Sequence, residues 1–294
     1  MKGPIAGVFW MVVTGLLFVG VTAVVKHLGN RIPAAEAAFL RYALGTVFLL
    51  PMIGAVRAAR LDRRALTLFG VRGVVHTGGV ILWFFAMTQI PLAEVTAMNY
   101  LTPIYITLGA ALFLGEKLAL RRLLAVAAGL VGALIILRPG VRAIDPGHVA
   151  MLFNGVLFAG SYLIAKIMAD RVAPTVVVAM LSITVTVGLA PFAAMVWVTP
   201  TMIELAWLFL VAILATSGHF TMTLAFRAAP VALTQPVTFL QLVWATTLGW
   251  FAFGEPVDGW VIFGGCLILA SVSFIAWREA VLKRRANRLA VDHP

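Results

Sequence analysis

The sequence predicts an all-α membrane protein, with ten transmembrane helices arranged as two inverted five-helix repeats. Three observations predict this fold. First, 62% of the 294 residues are hydrophobic and only 11% are charged. A soluble domain runs nearer half and a quarter, so this chain has too little polar surface to face water all round. Second, the apolar residues fall into ten runs, each long enough to cross the hydrocarbon core as a helix. None shows the alternating pattern of a barrel strand. Third, the first five runs match the second five at a nearly constant offset.

The runs are bounded by helix breakers and by charge. Span 1 (4–28) follows Met1-Lys2-Gly3-Pro4. Its apolar stretch is too long for a signal-peptide core and no small-x-small site follows it, so it reads as an uncleaved helix. Span 2 (33–55) opens at Pro33, and span 3 (66–89) follows the arginine-rich link from Arg57 to Arg64. Span 4 (92–114) starts after Gln89-Ile90-Pro91 and ends before Gly115-Glu116-Lys117. Span 5 (119–138) closes on Arg138-Pro139-Gly140, and span 6 (147–168) opens after Asp145-Pro146. Span 7 (174–198) runs from Pro174 to Thr199-Pro200, and span 8 (204–227) stops short of Pro230. Spans 9 (231–253) and 10 (257–277) complete the set. Proline serves as punctuation because it cannot donate the backbone hydrogen bond that continues a helix.

The internal repeat is legible in matched glycines, prolines and charges. At an offset of 140, Gly7, Met11, Gly15, Phe18, Gly20 and Lys26 fall on Gly147, Met151, Gly155, Phe158, Gly160 and Lys166. At 139, Thr77, Gly79, Pro91 and Glu116 fall on Thr216, Gly218, Pro230 and Glu255. The expected organisation is a first repeat at 1–140, a second at 141–279 and a basic cytoplasmic tail at 280–294. Five spans per repeat is an odd number, so the second copy enters the membrane from the opposite side. Inverted repeats accompany carriers, with the substrate near midplane where the repeats meet. Two copies that can exchange conformations give inward-open and outward-open states of similar energy.

The net charge of +11 is a topology signal rather than a nucleic-acid footprint. Sixteen basic residues fall on the side of the termini: Lys2, Arg57, Arg60, Arg63, Arg64, Lys117, Arg121, Arg122, Lys166, Arg171, Arg227, Arg278, Lys283, Arg284, Arg285 and Arg288. Four fall on the other side: Lys26, Arg31, Arg138 and Arg142. Positive charge is retained on the cytoplasmic side, so both termini are expected in the cytoplasm of a multi-pass inner-membrane protein. Arg41 and Arg72 fall inside spans. Arg41 is expected to snorkel or to pair with Glu36, and Lys166 to pair with Asp170. Glu116 and Glu255 are expected to cap the helices that follow them.

The sequence carries no phosphate-binding loop and no His/Cys cluster, so no cofactor and no metal are expected. The single Cys266 excludes an internal disulfide and reads as a small core residue. An intramembrane enzyme would need a nucleophile–base pair that His76 and His219 alone do not make. A scaffold would predict no solvated cavity. The expected partners are a small-molecule substrate and the bilayer, with no nucleic acid; a monomer is possible.

Spans 4 and 9 carry matched polar and aromatic positions. Thr96, Asn99, Tyr100, Thr102 and Tyr105 align with Gln235, Thr238, Phe239, Gln241 and Trp244. Such a face lines a wet cavity, or it makes interhelical hydrogen bonds. Pro103 and Pro236 free the carbonyls of Asn99 and Ala232. These positions then bind an amine or permit gating, or they are ordinary membrane-helix kinks. His76 and His219 lie deep in spans 3 and 8, where ionisable residues face the bundle interior, as substrate contacts or as satisfied packing residues. Trp83, Phe84, Phe158 and Tyr162 are candidates to stack on a planar substrate. The candidate substrate site is therefore His76, Trp83, Asn99, Tyr100, Tyr162, His219, Gln235, Phe239 and Gln241, with Pro103 and Pro236 as gating or kink positions.

Several segments resemble the drug/metabolite transporter superfamily in its EamA branch. They are the paired ends Phe113-Leu114-Gly115-Glu116-Lys117-Leu118 and Phe251-Ala252-Phe253-Gly254-Glu255-Pro256, Ala38-Phe39-Leu40-Arg41-Tyr42, and the Pro91/Pro230 turns. Asn99-Tyr100-Leu101-Thr102-Pro103 resembles a segment of YddG-type amino-acid exporters. The resemblance implies a non-enzymatic secondary carrier that exports small metabolites, with neutral or aromatic amino acids as the expected class. Drug-like cations, nucleotide sugars and lipid-linked sugars are the alternatives. The small multidrug relatives carry a carboxylate in mid-first-helix for proton exchange. Here Thr14 and its repeat mate Asn154 stand there, which points to facilitated diffusion, with His76 and His219 as the remaining route for a proton.

Overall fold

The computed structural model of the chain describes residues 3–114, 119–169, 171–229 and 231–292. Ten helical segments in it are long and apolar enough to cross a membrane. The chain is an all-α, multi-pass membrane protein. Spans 1, 3 and 5–8 run Pro4–Leu28, Arg63–Gln89, Leu120–Leu137, Pro146–Ala169, Pro174–Met195 and Met202–Ala228. Each lies within three residues of the sequence expectation. The last helix, Gly259–Asp292, overruns it. No Gly or Pro occurs between Cys266 and Asp292, so nothing in the basic tail ends the helix.

Three spans are broken rather than continuous. Span 2 is helical over Ala34–Gly45, tightens to a 3-10 helix over Thr46–Met52 around Pro51, and resumes over Ile53–Ala58. Span 4 stops at Leu92–Asn99 and restarts at Thr102–Leu114. Span 9 runs Val231–Thr234, a 3-10 turn Gln235–Thr238, then Phe239–Phe253. Pro103 and Pro236 are each the second residue of a new segment. The missing N–H costs nothing there, because the first turn has no intrahelical acceptor for it.

Helix pairing maps onto itself when the halves are exchanged. Span 1 lies along span 8 as span 6 lies along span 3. Spans 5 and 10 pair with each other, as do spans 2 and 7 and spans 4 and 9. Individual contacts repeat the correspondence. A Cβ on Gly79 would meet the Phe158 ring, and one on Gly218 the Phe18 ring. Asn154 Nδ2 donates to the carbonyl of Gly79 at 2.8 Å. Its mate Thr14 shares a hydrogen bond with Thr221 at 2.9 Å, and Thr221 donates to the carbonyl of Gly218 at 3.1 Å. The two mid-membrane polar residues of spans 1 and 6 are thus tied to neighbouring helices.

Spans 5 and 10 touch backbone to backbone. A Cβ on Gly132 would lie 2.7 Å from the carbonyl oxygen of Gly264. Small residues allow such approach where lipid offers no hydrophobic drive to associate. Gly132→Val is expected to separate this pair and cost about 2–3 kcal/mol. The apparent Tm in detergent, read by fluorescence-detected size exclusion, should fall by several degrees. Gly54→Ala, whose Cβ meets nothing within 4 Å, should leave it unchanged or raised. Equal Tm values for wild type and Gly132→Val would refute the packing argument.

Candidate functional site: a central chamber beneath a closed face

Spans 2, 3, 6 and 8 enclose a cluster of aromatic and basic side chains at mid-membrane. His76 sits halfway along span 3 and is buried. Its ring stacks on Phe158 of span 6, with centroids 4.7 Å apart and planes 24° from parallel. Tyr162, one turn further along span 6, meets His76 edge-on at 6.4 Å. Trp83 meets Phe158 at 6.3 Å from the opposite side. Both imidazole nitrogens are occupied, Nδ1 by Ser161 Oγ at 3.0 Å and Nε2 by the Tyr42 hydroxyl at 3.3 Å. Arg72 donates to Ser161 Oγ at 3.4 Å and to the Val177 carbonyl at 3.1 Å. Ser161 is therefore free to donate its own proton to Nδ1, which leaves a satisfied neutral imidazole.

Two further residues complete the chamber. Arg41 of span 2 is buried with its guanidinium over the Tyr42 ring, 4.1 Å from the centroid. His219 of span 8 packs edge-on against Phe18 at 5.2 Å and lies within electrostatic reach of Arg41 and His76. Tyr162 and His219 lie deep in their spans, and both retain exposed surface. A separate cavity of about 200 Å³ opens beside span 8, lined by Phe48, Ile213, Thr216, Ser217 and Phe220.

The other sequence-predicted residues go elsewhere. Tyr100 is buried and spends its hydroxyl on the Thr238 carbonyl at 2.7 Å, tying span 4 to span 9. Phe239 packs against the main apolar core. Gln241 faces span 1, where its Cβ would be 3.6 Å from a Cβ on Gly15. Asn99 is half-buried at the break in span 4. The Gln235 side chain lies outside the described residues, as do Glu116 and the expected Lys166–Asp170 pair.

Two expectations are corrected. Glu36 does not pair with Arg41. Five residues on a helix is 140° of rotation, so the two leave it on different faces, and Glu36 instead accepts from the Val198 N–H at 2.8 Å. Glu255 does not cap its own following helix. It forms an ion pair with Lys26 and accepts from the N–H of Leu92, the first residue of span 4, at 2.9 Å. Arg72, Arg41, Tyr42 and Ser161 were not among the predicted site residues. The available signal was the arginines themselves, since charge inside a span is retained for a reason.

The face opposite the chain ends, here the distal face, is crossed by ion pairs. All four of its basic residues have acidic partners: Lys26 with Glu255, Arg31 with Glu204, Arg138 with Asp258 and Arg142 with Glu94. Each joins segments far apart in the chain. Arg142 holds both oxygens of Glu94 at 2.9 Å, and His148 binds the same carboxylate. The hydrogen bonds to Glu94 raise the Arg142 guanidinium above its ordinary value. Among the described residues every carboxylate whose side chain is placed sits at a span end or beyond.

Comparison with known proteins gives this architecture a family. The model of the EamA-like transporter family matches the chain twice, at residues 5–138 and 145–277. A riboflavin transporter of Rhizobium johnstonii is 31% identical over 286 residues, covering 96% of this chain and 94% of that protein. An S-adenosylmethionine uptake transporter of Rickettsia bellii is 27% identical, covering 86% and 87%. A pseudopaline exporter of Pseudomonas aeruginosa is 28% identical, covering 90% and 94%. With both halves matched and the full length shared with proteins that move small molecules, the chain belongs to the EamA-like transporter family and is a small-molecule membrane transporter rather than an enzyme.

Proposed function

We propose that this protein carries a small metabolite with a planar or aromatic part through the central chamber by alternating access. It does so as two inverted repeats, 1–140 and 141–279, in an inner membrane with both termini and the 280–294 tail in the cytoplasm. The observation that carries the reading is the aromatic and basic chamber lying beneath a distal face closed by ion pairs. This is the arrangement expected of a carrier caught with one gate shut. His76, Trp83, Tyr162 and His219 are its contact residues, and the breaks at Pro103 and Pro236 are its bending points. Neutral and aromatic amino acids moving outward are the first candidates, because a stacked ring and a charged headgroup suit Phe158, Tyr162 and the nearby basic residues. Riboflavin, which the Rhizobium johnstonii relative is named for, is a second candidate, because the same ring wall suits a flat tricyclic. Flux is facilitated diffusion. Both His76 nitrogens are occupied, and the placed carboxylates lie at the span ends, away from mid-membrane.

The test combines transport with site protection. A His219→Cys variant in a Cys266→Ala background is exposed to a membrane-impermeant thiol reagent. Labelling is expected in inverted vesicles and not in intact cells. Counterflow in proteoliposomes is then screened across the aromatic and large neutral amino acids and riboflavin, and any exchanged solute should slow the labelling. If none of the panel exchanges and none protects the introduced thiol, the chamber is not the route for this class of solute.

A further inference from the structure

Arg41 poses a problem that an ordinary structural role for a buried arginine does not solve. It is 92% buried, being 8% exposed. Yet among the described residues its guanidinium has no hydrogen-bond acceptor and no carboxylate, only the face of the adjacent Tyr42 ring. A guanidinium carries five N–H donors. A structural arginine spends them on backbone or carboxylate, as Arg72 spends two on Ser161 and Val177. An uncompensated charge withdrawn from water is among the most costly features a fold can keep. None of the Arg41 nitrogens is both sealed from solvent and unpaired, and the group lies within electrostatic reach of His76 and His219.

The surroundings strengthen the point. Arg72 is 95% buried, being 5% exposed, and places a second positive charge one turn from His76. The described carboxylates are engaged elsewhere. Glu36 binds the Val198 N–H, Asp62 caps span 3 at Ala65, Asp145 binds the Gly147 N–H, and the distal and Arg122 pairs take Glu94, Glu204, Glu255, Asp258 and Glu279. The chamber thus holds two permanent positive charges beside a stacked wall of Phe158, His76 and Tyr162, with no carboxylate facing them among the described residues.

We propose that the substrate carries a carboxylate or phosphate, held by Arg41 with Arg72 as second cation, while its planar part lies against Phe158 and Tyr162. The proposal rests on the chamber being the transport site and narrows that site to anion-bearing planar solutes. It disfavours purely cationic cargo, which two guanidinium groups would repel.

The experiment uses two matched pairs of probes on full-length protein in detergent and in proteoliposomes. Indole-3-acetate against indole-3-acetamide isolates a carboxylate, and riboflavin 5′-phosphate against riboflavin isolates a phosphate. Binding is read by ligand-induced thermal shift titrations and transport by inhibition of counterflow. A charge-assisted hydrogen bond lost from a site of this kind corresponds to roughly tenfold to hundredfold in affinity. At least one anionic member is therefore expected to bind about tenfold or more tightly than its neutral partner, and the pair that shows this identifies the anionic group. Arg41→Gln should abolish the preference by bringing the anionic member's affinity down to that of its neutral partner, while Arg41→Lys should retain part of it. If Arg41→Gln does not yield monodisperse protein, the wild-type pairs and Arg41→Lys decide alone. Equal or tighter binding of both neutral members overturns the proposal, and so does a preference that survives Arg41→Gln. Exchange of neutral solutes with no response to either anion would overturn this inference and leave the transport reading standing.

Discussion

Replacing Glu94 by Gln is expected to lower stability by about 3 kcal/mol, the cost of breaking a buried ion pair by removing one partner. Glu94 and His148 side chains are each only 4% exposed. The carboxylate receives both nitrogens of Arg142 as well as the imidazole. An amide offers one acceptor oxygen and presents N–H groups to Arg142, so the guanidinium loses half of a two-pronged bond. Differential thermal unfolding in detergent should show a Tm drop on the order of 5–10 °C. Arg31→Ala is the matched control. Arg31 also pairs with a glutamate across the distal face, but its side chain is 48% exposed. Exposed pairs contribute little that is measurable, so Arg31→Ala should be nearly silent. Matching Tm losses in the two variants would show that burial does not govern these bridges.

Glu255→Gln is expected to open the distal face. Glu255 binds Lys26 from span 1 and the N–H that begins span 4, with the ion-pair side chains 10% and 18% exposed. Lys26 also donates to the Ile90 carbonyl at 2.9 Å, so one carboxylate joins the last loop to two turns of the first half. If these contacts exist only while the face is closed, removing the charge shifts the conformational balance by about 2–3 kcal/mol. That corresponds to a change of roughly thirtyfold to a hundred-and-fiftyfold in the population with the distal face open. A Trp83→Cys reporter in a Cys266→Ala background should label from the distal side faster by a comparable factor. Unchanged labelling would mean that Glu255 braces the fold without acting as a gate.

The spans were legible because membrane crossing imposes a length, and the breakers at Pro33, Pro91, Pro146 and Pro174 mark the ends. The breaks near Asn99 and Gln235 were also marked, by Pro103 and Pro236, although a kink and a full interruption look alike in sequence. Part of the chamber could be read for the same reason. His76 and Trp83 are seven residues apart, and Phe158 and Tyr162 four, so each pair shares a face. What could not be read is which helix each face meets. Arg41 was matched with Glu36 because both lie on one span, and rotation about the helix defeats that match. Tyr100 carries the same polarity whether it greets a solute or the Thr238 carbonyl. Glu255 finds Lys26 across more than two hundred residues of chain, a distance at which periodicity carries no information.

The one-sided distribution of ion pairs has a kinetic consequence. If the distal face of the empty carrier is held shut by about 2 kcal/mol, only some ~3% of molecules present an open site to that side. The same chamber then half-saturates at roughly thirtyfold higher concentration from the distal side than from the terminal side. An uncoupled carrier must give zero net flux at equal concentrations, so the maximal rates have to be skewed by the same factor. Low demand for substrate on one side is matched by slow turnover from it. A few salt bridges would thus make the protein a sensitive carrier of dilute solute from the terminal side and a high-capacity carrier of concentrated solute from the distal side, without any expenditure of energy.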